Sequence, residues 1–191
     1  SIAAAQSSLK VEIKISGNSK LKTKLISLAK EIEEMAVLYQ TANQKAYWER
    51  EGRKSFLSML QSEGYYSSTI AVEIPSQKPN TIIFEIEPWQ RYKLSNINIK
   101  HSESSNLNIA LPNIDKLRLK NGQYAIASEL IEAQTKILKY LEKNNCLLSL
   151  HVSHKATINH FDDVVDITYI VNAGQEASIE NVSYKGLKGV K

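Results

Sequence analysis

The side chains able to bind a metal or carry a proton are few: four histidines, one cysteine and some neighbouring carboxylates. His151 and His154 stand three apart in an alternating, strand-like stretch, which turns them to opposite faces and denies them a shared ion. His160, Asp162 and Asp163 have the donors for a cation, but they fall in a hairpin loop and read as a solvated turn. His101 follows a strand and has no partner nearby in sequence. Glu33 with Glu34, and Glu85 with Glu87, lie on helix or strand surfaces, where carboxylates supply solubility. There is no G-x-S-x-G elbow, no glycine loop for phosphate and no H-E-x-x-H pair. An active site must converge several polar groups on one pocket, so neither an enzyme nor a cofactor is expected.

Composition narrows the class further. A chain of 191 residues with 42% hydrophobic content can build one ordinary core or two small ones. No apolar run approaches the roughly 20 residues that cross a bilayer, and the opening SIAAAQSSLK lacks the basic start and long apolar stretch of a signal peptide. The stretch is therefore expected to be soluble. Its net charge of +4 comes from scattered residues, with small clusters at Lys20, Lys22, Lys24 and at Lys116, Arg118, Lys120 that read as solvated faces. The single Cys146 can form no internal disulfide.

The elements that position these residues occur twice. TIIFEIEPWQRYKLSNINIK from Thr81 lies over DITYIVNAGQEASIENVSYK from Asp166 at one constant offset, with Ile82 on Ile167, Phe84 on Tyr169, Ile86 on Val171 and Gln90 on Gln175. The preceding helix ends align as well, Leu57 on Leu138, Leu60 on Leu141, Gly64 on Asn145 and Tyr65 on Cys146. Gly64 ends a helical pattern and opens a strand, and Asn145 is the other residue type that tolerates such a left-handed cap. By this alignment Cys146 is expected to be a small buried hydrophobe. Tyr65 and Tyr66 are expected between helix end and hairpin, and Trp89 in the crevice between the units.

Read in order, the first copy has a strand at 9–16 and a helix at 19–37 with Leu21, Leu25, Leu28 and Ile32 on one stripe. A second helix at 44–63 and strands at 67–75 and 81–88 complete it. The second copy has a strand at 92–100, a short helical region within 106–117 interrupted by Pro112, a helix at 125–144, and strands at 148–159 and 164–172. That helix carries the stripe Leu130, Gln134, Ile137, Leu138, Leu141. A third opening strand appears as ENVSYK from Glu180. The order is β-α-α-β-β twice, an α+β fold in which each three-stranded mixed sheet is covered by two helices. The units are expected at 1–89 and 90–175, with 176–191 opening a third. The short joints Pro88-Trp89-Gln90-Arg91 and Ala173-Gly174-Gln175-Glu176 predict a semi-rigid rod.

The same element order begins the KH module, an RNA binder whose G-x-x-G loop between its helices clamps the nucleic-acid backbone. Here LYQTANQ and RLKNGQ occupy that place, and the only G-x-x-G is Gly186-Leu187-Lys188-Gly189, after a strand. The clamp is misplaced, and no nucleic-acid partner is expected.

The tandem units, the helix end Leu60-x-x-x-Gly64-Tyr65-Tyr66, the run FEIEPWQRYKLSNINI and the stretch LRLKNGQYA resemble POTRA domains. They are similar to those of the BamA/TamA superfamily of outer-membrane β-barrel assembly proteins, and the GYY-x-x-TI pattern leans toward the TamA branch. The resemblance covers nearly the whole chain, with two departures. Asn145-Cys146 replaces the usual glycine-aromatic pair, and His101 replaces the glycine that follows the opening strand.

The resemblance implies the periplasmic arm of a bacterial outer-membrane protein, a monomeric scaffold in protein assembly or autotransporter export, anchored by a C-terminal β-barrel. Its partners would be unfolded or extended outer-membrane strands, with a periplasmic or inner-membrane assembly factor as a further one. The arm of a two-partner secretion transporter is one alternative, and a KH-like RNA-binding module is the alternative of a different class. The resemblance also puts the second strand of each unit at a sheet edge, where an incoming chain can pair with it. The candidate binding residues are then Ser68, Thr69, Ile70, Ala71, Val72 and Glu73 in the first unit. In the second they are Ser149, Leu150, His151, Val152 and Ser153.

Overall fold

A computed structural model describes residues 8–38, 44–147 and 149–174. The first sheet holds β1 (Lys10–Ile15), β2 (Thr69–Glu73) and β3 (Thr81–Glu87) in the order β1-β3-β2, parallel between β1 and β3 and antiparallel between β2 and β3. The second holds β4 (Lys93–His101), β5 (Leu150–Asn159) and β6 (Val164–Ala173) in the order β4-β6-β5 with the same pairing senses. Helices α1 (Ser19–Leu38) and α2 (Lys45–Ser62) pack on the first sheet, and α3 (Ala127–Asn144) on the second. The expected α+β repeat is present. The third opening strand and the G-x-x-G lie outside the described residues.

Periodicity explains the packing. In α1 the buried residues are Leu21, Leu25, Ala29, Ile32 and Ala36, one stripe at helical spacing, and Asn18 caps the start by accepting a hydrogen bond from the Leu21 N–H at 3.0 Å. The central strands β3 and β6 turn Ile82, Phe84, Ile86 and Val165, Ile167, Tyr169, Val171 into two separate cores. Phe84 meets Phe56 edge-on with ring centroids 4.9 Å apart, and its ring fills the hollow over Gly52. The aligned pair in the second core is Ala133 and Tyr169, both fully buried; the Tyr169 hydroxyl donates to the Leu130 carbonyl at 2.8 Å, and burial pushes its pKa above the ordinary range.

Two local expectations differ from the structure. The short helical region expected within 106–117 lies there, but as a single 3-10 turn, Ile114–Leu117, and not as a second covering α-helix. Pro112 lacks an N–H and the Asn113 side chain captures the Asp115 N–H, so the short turn and the residues just after it, through buried Leu117 and Leu119, cover the sheet where a longer helix would. Asn145 is extended, at φ −140°, rather than left-handed. Its side-chain amide donates to the Leu141 carbonyl at 2.9 Å and that of Asn144 to Tyr140 at 2.6 Å, so side chains satisfy the carbonyls that a left-handed turn would.

Gly64 does take the left-handed conformation, at φ +92°. It also joins the two halves. Its carbonyl accepts from the Tyr92 N–H at 2.8 Å, and a Cβ there would stand 3.3 Å from the Ala125 carbonyl oxygen. Arg91 donates to the Glu63 carbonyl at 2.6 Å and lies over the rings of Tyr65 and Tyr124. Buried Tyr92 shares hydrogen bonds with Ser67 and with His160 Nδ1, so the hairpin loop that the sequence suggested was merely solvated is part of the joint. Cys146, aligned with buried Tyr65, is exposed. Asn18 and Arg91 cover Tyr65, whereas the residue aligned with Arg91 in the second copy is outside the described set.

Two outcomes are expected. Gly52→Ala drives a Cβ to 2.6 Å from Phe84 Cζ, and the overpacking of about 1–3 kcal/mol outweighs the roughly 1 kcal/mol gained in helix propensity. The urea midpoint should fall; a rise would show that the ring gives way freely. Arg91→Ala should broaden the relative orientation of the two halves, read by residual dipolar couplings, while each core keeps its own dispersion of methyl shifts.

Candidate functional site

A three-stranded sheet has two margins, and the four margins here are treated differently. Along β4 the chain seals itself: the Leu94 N–H donates to the Gln123 carbonyl at 2.8 Å, and the Gly122 and Ala125 N–H groups donate to Leu94 and Tyr92 at 2.7 and 3.0 Å. On β1 the Val11 N–H donates to a Glu33 carboxylate oxygen at 2.7 Å, and α1 packs directly along this strand. The margins of β2 and β5 carry no such backbone cover among the described residues.

Their outward-facing groups follow from the ladder. The Gly174 N–H donates to the Ser149 carbonyl at 2.8 Å, so Ser149 opposes Gly174 as a hydrogen-bonded pair. Alternation then turns the N–H and C=O of Leu150, Val152, His154, Ala156 and Ile158 away from β6. Ile70 opposes Ile86 as Val152 opposes Val171, and Ile86 aligns with Val171 in the repeat, so Ile70 and Val72 face outward on β2. The side chains of Ile70 and Val152 point into the cores, 8% and 5% exposed. Thr69, Ala71 and Glu73 lie on the solvent face.

Each expected binding residue can now be placed. Thr69, Ile70, Ala71, Val72 and Glu73 form β2, and Leu150, His151, Val152 and Ser153 begin β5. Ser68 stands just before β2, its hydroxyl shared between the Tyr65 and Pro88 carbonyls at 3.1 and 3.2 Å. Ser149 stands just before β5 and is tied to Gly174. The structure does not bring the two sets together: they are edges of different sheets.

Three neighbours of these edges were not expected. Arg53 on α2 donates to the Ile70 carbonyl at 2.5 Å, and Gln134 on α3 donates to the Val152 carbonyl at 2.9 Å. Trp89 does not fill a crevice; it is 62% exposed, at φ +55°, and its indole N–H donates to Thr69 Oγ1 at 3.0 Å. Gln134 had a visible signal, a polar residue on an apolar stripe, which calls for a hydrogen-bond partner. Among the described residues no group of three or more His, Cys, Asp or Glu is placed to hold a metal ion, and no helix is long and apolar enough to cross a membrane.

The arrangement is similar to a solved structure, POTRA1-2 of the periplasmic domain of Omp85 from Anabaena, at 14% identity and a TM-score of 0.50, covering 89% of this chain and 96% of that one. The fold is the POTRA fold. BamA from Haemophilus ducreyi lacking POTRA domains 1-3 is similar at 16% identity and a TM-score of 0.45, over 88% of this chain and 30% of that one. Haemophilus influenzae BamA POTRA3-5 is similar at 15% identity and a TM-score of 0.41, over 87% of this chain and 61% of that one, so this chain spans less than two thirds of either. No protein-family model and no curated protein matches it. The likeness is one of POTRA fold.

The edge phase has a direct readout. Amide exchange followed by NMR should be fast at Val152, His154, Ala156 and Ile158 and slow at Ser153, Lys155 and Thr157. The opposite alternation would invert which groups a partner can reach.

Proposed function

We propose that the chain is a periplasmic arm of an outer-membrane protein assembly or secretion factor, a scaffold that holds extended client or partner segments by β-strand addition. One observation carries the reading. Each of two like-built units leaves the same margin, β2 or β5, with outward-facing backbone groups and no covering segment among the described residues. An incoming strand satisfies those groups, and backbone pairing accepts many sequences, as a handler of varied outer-membrane strands requires. Neither strand contains a proline, and β2 carries a single charge, Glu73. The POTRA fold shared with the periplasmic domain of Omp85 supports the location.

In this reading the units span 1–89 and 90–175, residues 176–191 open a third, and a C-terminal β-barrel anchors the protein in the outer membrane. The arm works as a monomer without a cofactor, and its branch is the TamA-like one that serves autotransporter export. Photo-crosslinking residues at Thr69, Ala71 and Glu73, and at His151 and Ser153, should trap a polypeptide in cells with working assembly machinery, with strand periodicity against their neighbours. Silence at all five positions would refute strand addition at these edges.

A further inference from the structure

Arg53 and Gln134 hold the same place in the repeat. The offset that sets Leu57 on Leu138 and Leu60 on Leu141 also sets Arg53 on Gln134, and the offset between the central strands makes Ile70 the counterpart of Val152. Two aligned helix positions, with different side chains, thus donate to two aligned carbonyls. Each carbonyl is the outward-facing one that a strand added to that edge would need. Different chemistry reaching one geometry in both units marks the contact as part of the design of the edge.

We propose that Arg53 and Gln134 are edge latches, closing one rung of β2 and of β5 until a client strand displaces them. The inference rests on strand addition at these margins and says what opposes it. A partly buried edge carbonyl left without a donor is costly, so the latch supplies a donor in the unoccupied state. It also places a side chain where the N–H of an added strand would lie, so a short or mismatched segment cannot recover what it displaces. A segment that pairs over several rungs can. The latches differ in strength: the guanidinium of Arg53 makes a charge-assisted bond and is steadied by Glu49 at 3.6 Å. Gln134 is neutral and is held through its carbonyl by His154 Nδ1 at 2.5 Å. The two edges are therefore set to different thresholds, β5 the easier to open.

The test uses a fluorescein-labelled peptide of ten alternating valines and threonines with lysines at its ends, and the same peptide with a central proline as control. Arg53→Met and Gln134→Met keep the apolar stem and remove the donors; thermal melts confirm that each variant is folded. Arg53→Met should bind the peptide roughly tenfold tighter and Gln134→Met about threefold tighter than the parent chain, with the proline peptide unaffected. Arg53→Lys, which keeps a donor, should stay within about twofold of the parent. Equal binding by the parent and both methionine variants overturns the latch and leaves strand addition standing. Weaker binding by the variants also overturns it, and makes the two side chains client contacts. Absence of binding by every form removes strand addition and the latch together.

Discussion

Every second residue along a sheet margin aims an N–H and a C=O away from the sheet, and those groups must find partners somewhere. Most of this structure can be understood as a set of answers to that demand. The central strands β3 and β6 are paired on both sides and bury their core-facing side chains completely. The outer strands are not. On β4 the chain folds residues 122–125 back as a backbone seal, and on β1 a glutamate from the covering helix takes the Val11 N–H. On β2 and β5, among the described residues, one outward carbonyl each is met, by a helix side chain.

The helices do two jobs with one surface. Their apolar stripes roof the sheets, and residues flanking the stripes reach over the rim to the margins. Glu33 stands beside Ile32 and Ala36, Arg53 beside Gly52 and Phe56, and Gln134 beside Ala133 and Ile137. The same packing that fixes the roof therefore fixes where a rim side chain can reach. At the joint, Gly64 couples helix end to neighbouring sheet, because its left-handed turn is what brings its carbonyl to Tyr92.

Much of this was legible in the sequence, for physical reasons that vary by element. Long periodic stretches such as Leu21, Leu25 and Ile32 or Val165, Ile167 and Tyr169 declare a buried face whatever surrounds them. Which strand is marginal comes from the family resemblance, and the observed strand orders agree with it. What escaped depends on side-chain choices that alignment does not constrain. Asn145 satisfies its helix end through its own amide instead of through a left-handed backbone, and a proline with a capping asparagine turns an expected helix into Ile114–Leu117. Trp89 was misjudged because size alone suggested burial, while its place beside the open margin of β2 leaves it exposed. Arg53 escaped because a charged residue next to an apolar stripe looks solvated until the strand carbonyl beneath it is known.

The central claim, that β2 and β5 are unfinished margins completed by another chain, is tested most directly by NMR on the isotopically labelled protein mixed with an extended outer-membrane strand peptide. The account predicts intermolecular contacts between backbone protons of the peptide and those of Ile70 and Val72, or of Val152, His154 and Ala156, recurring at every second residue. Contacts confined to helix surfaces, or to the β1 and β4 margins, would contradict it.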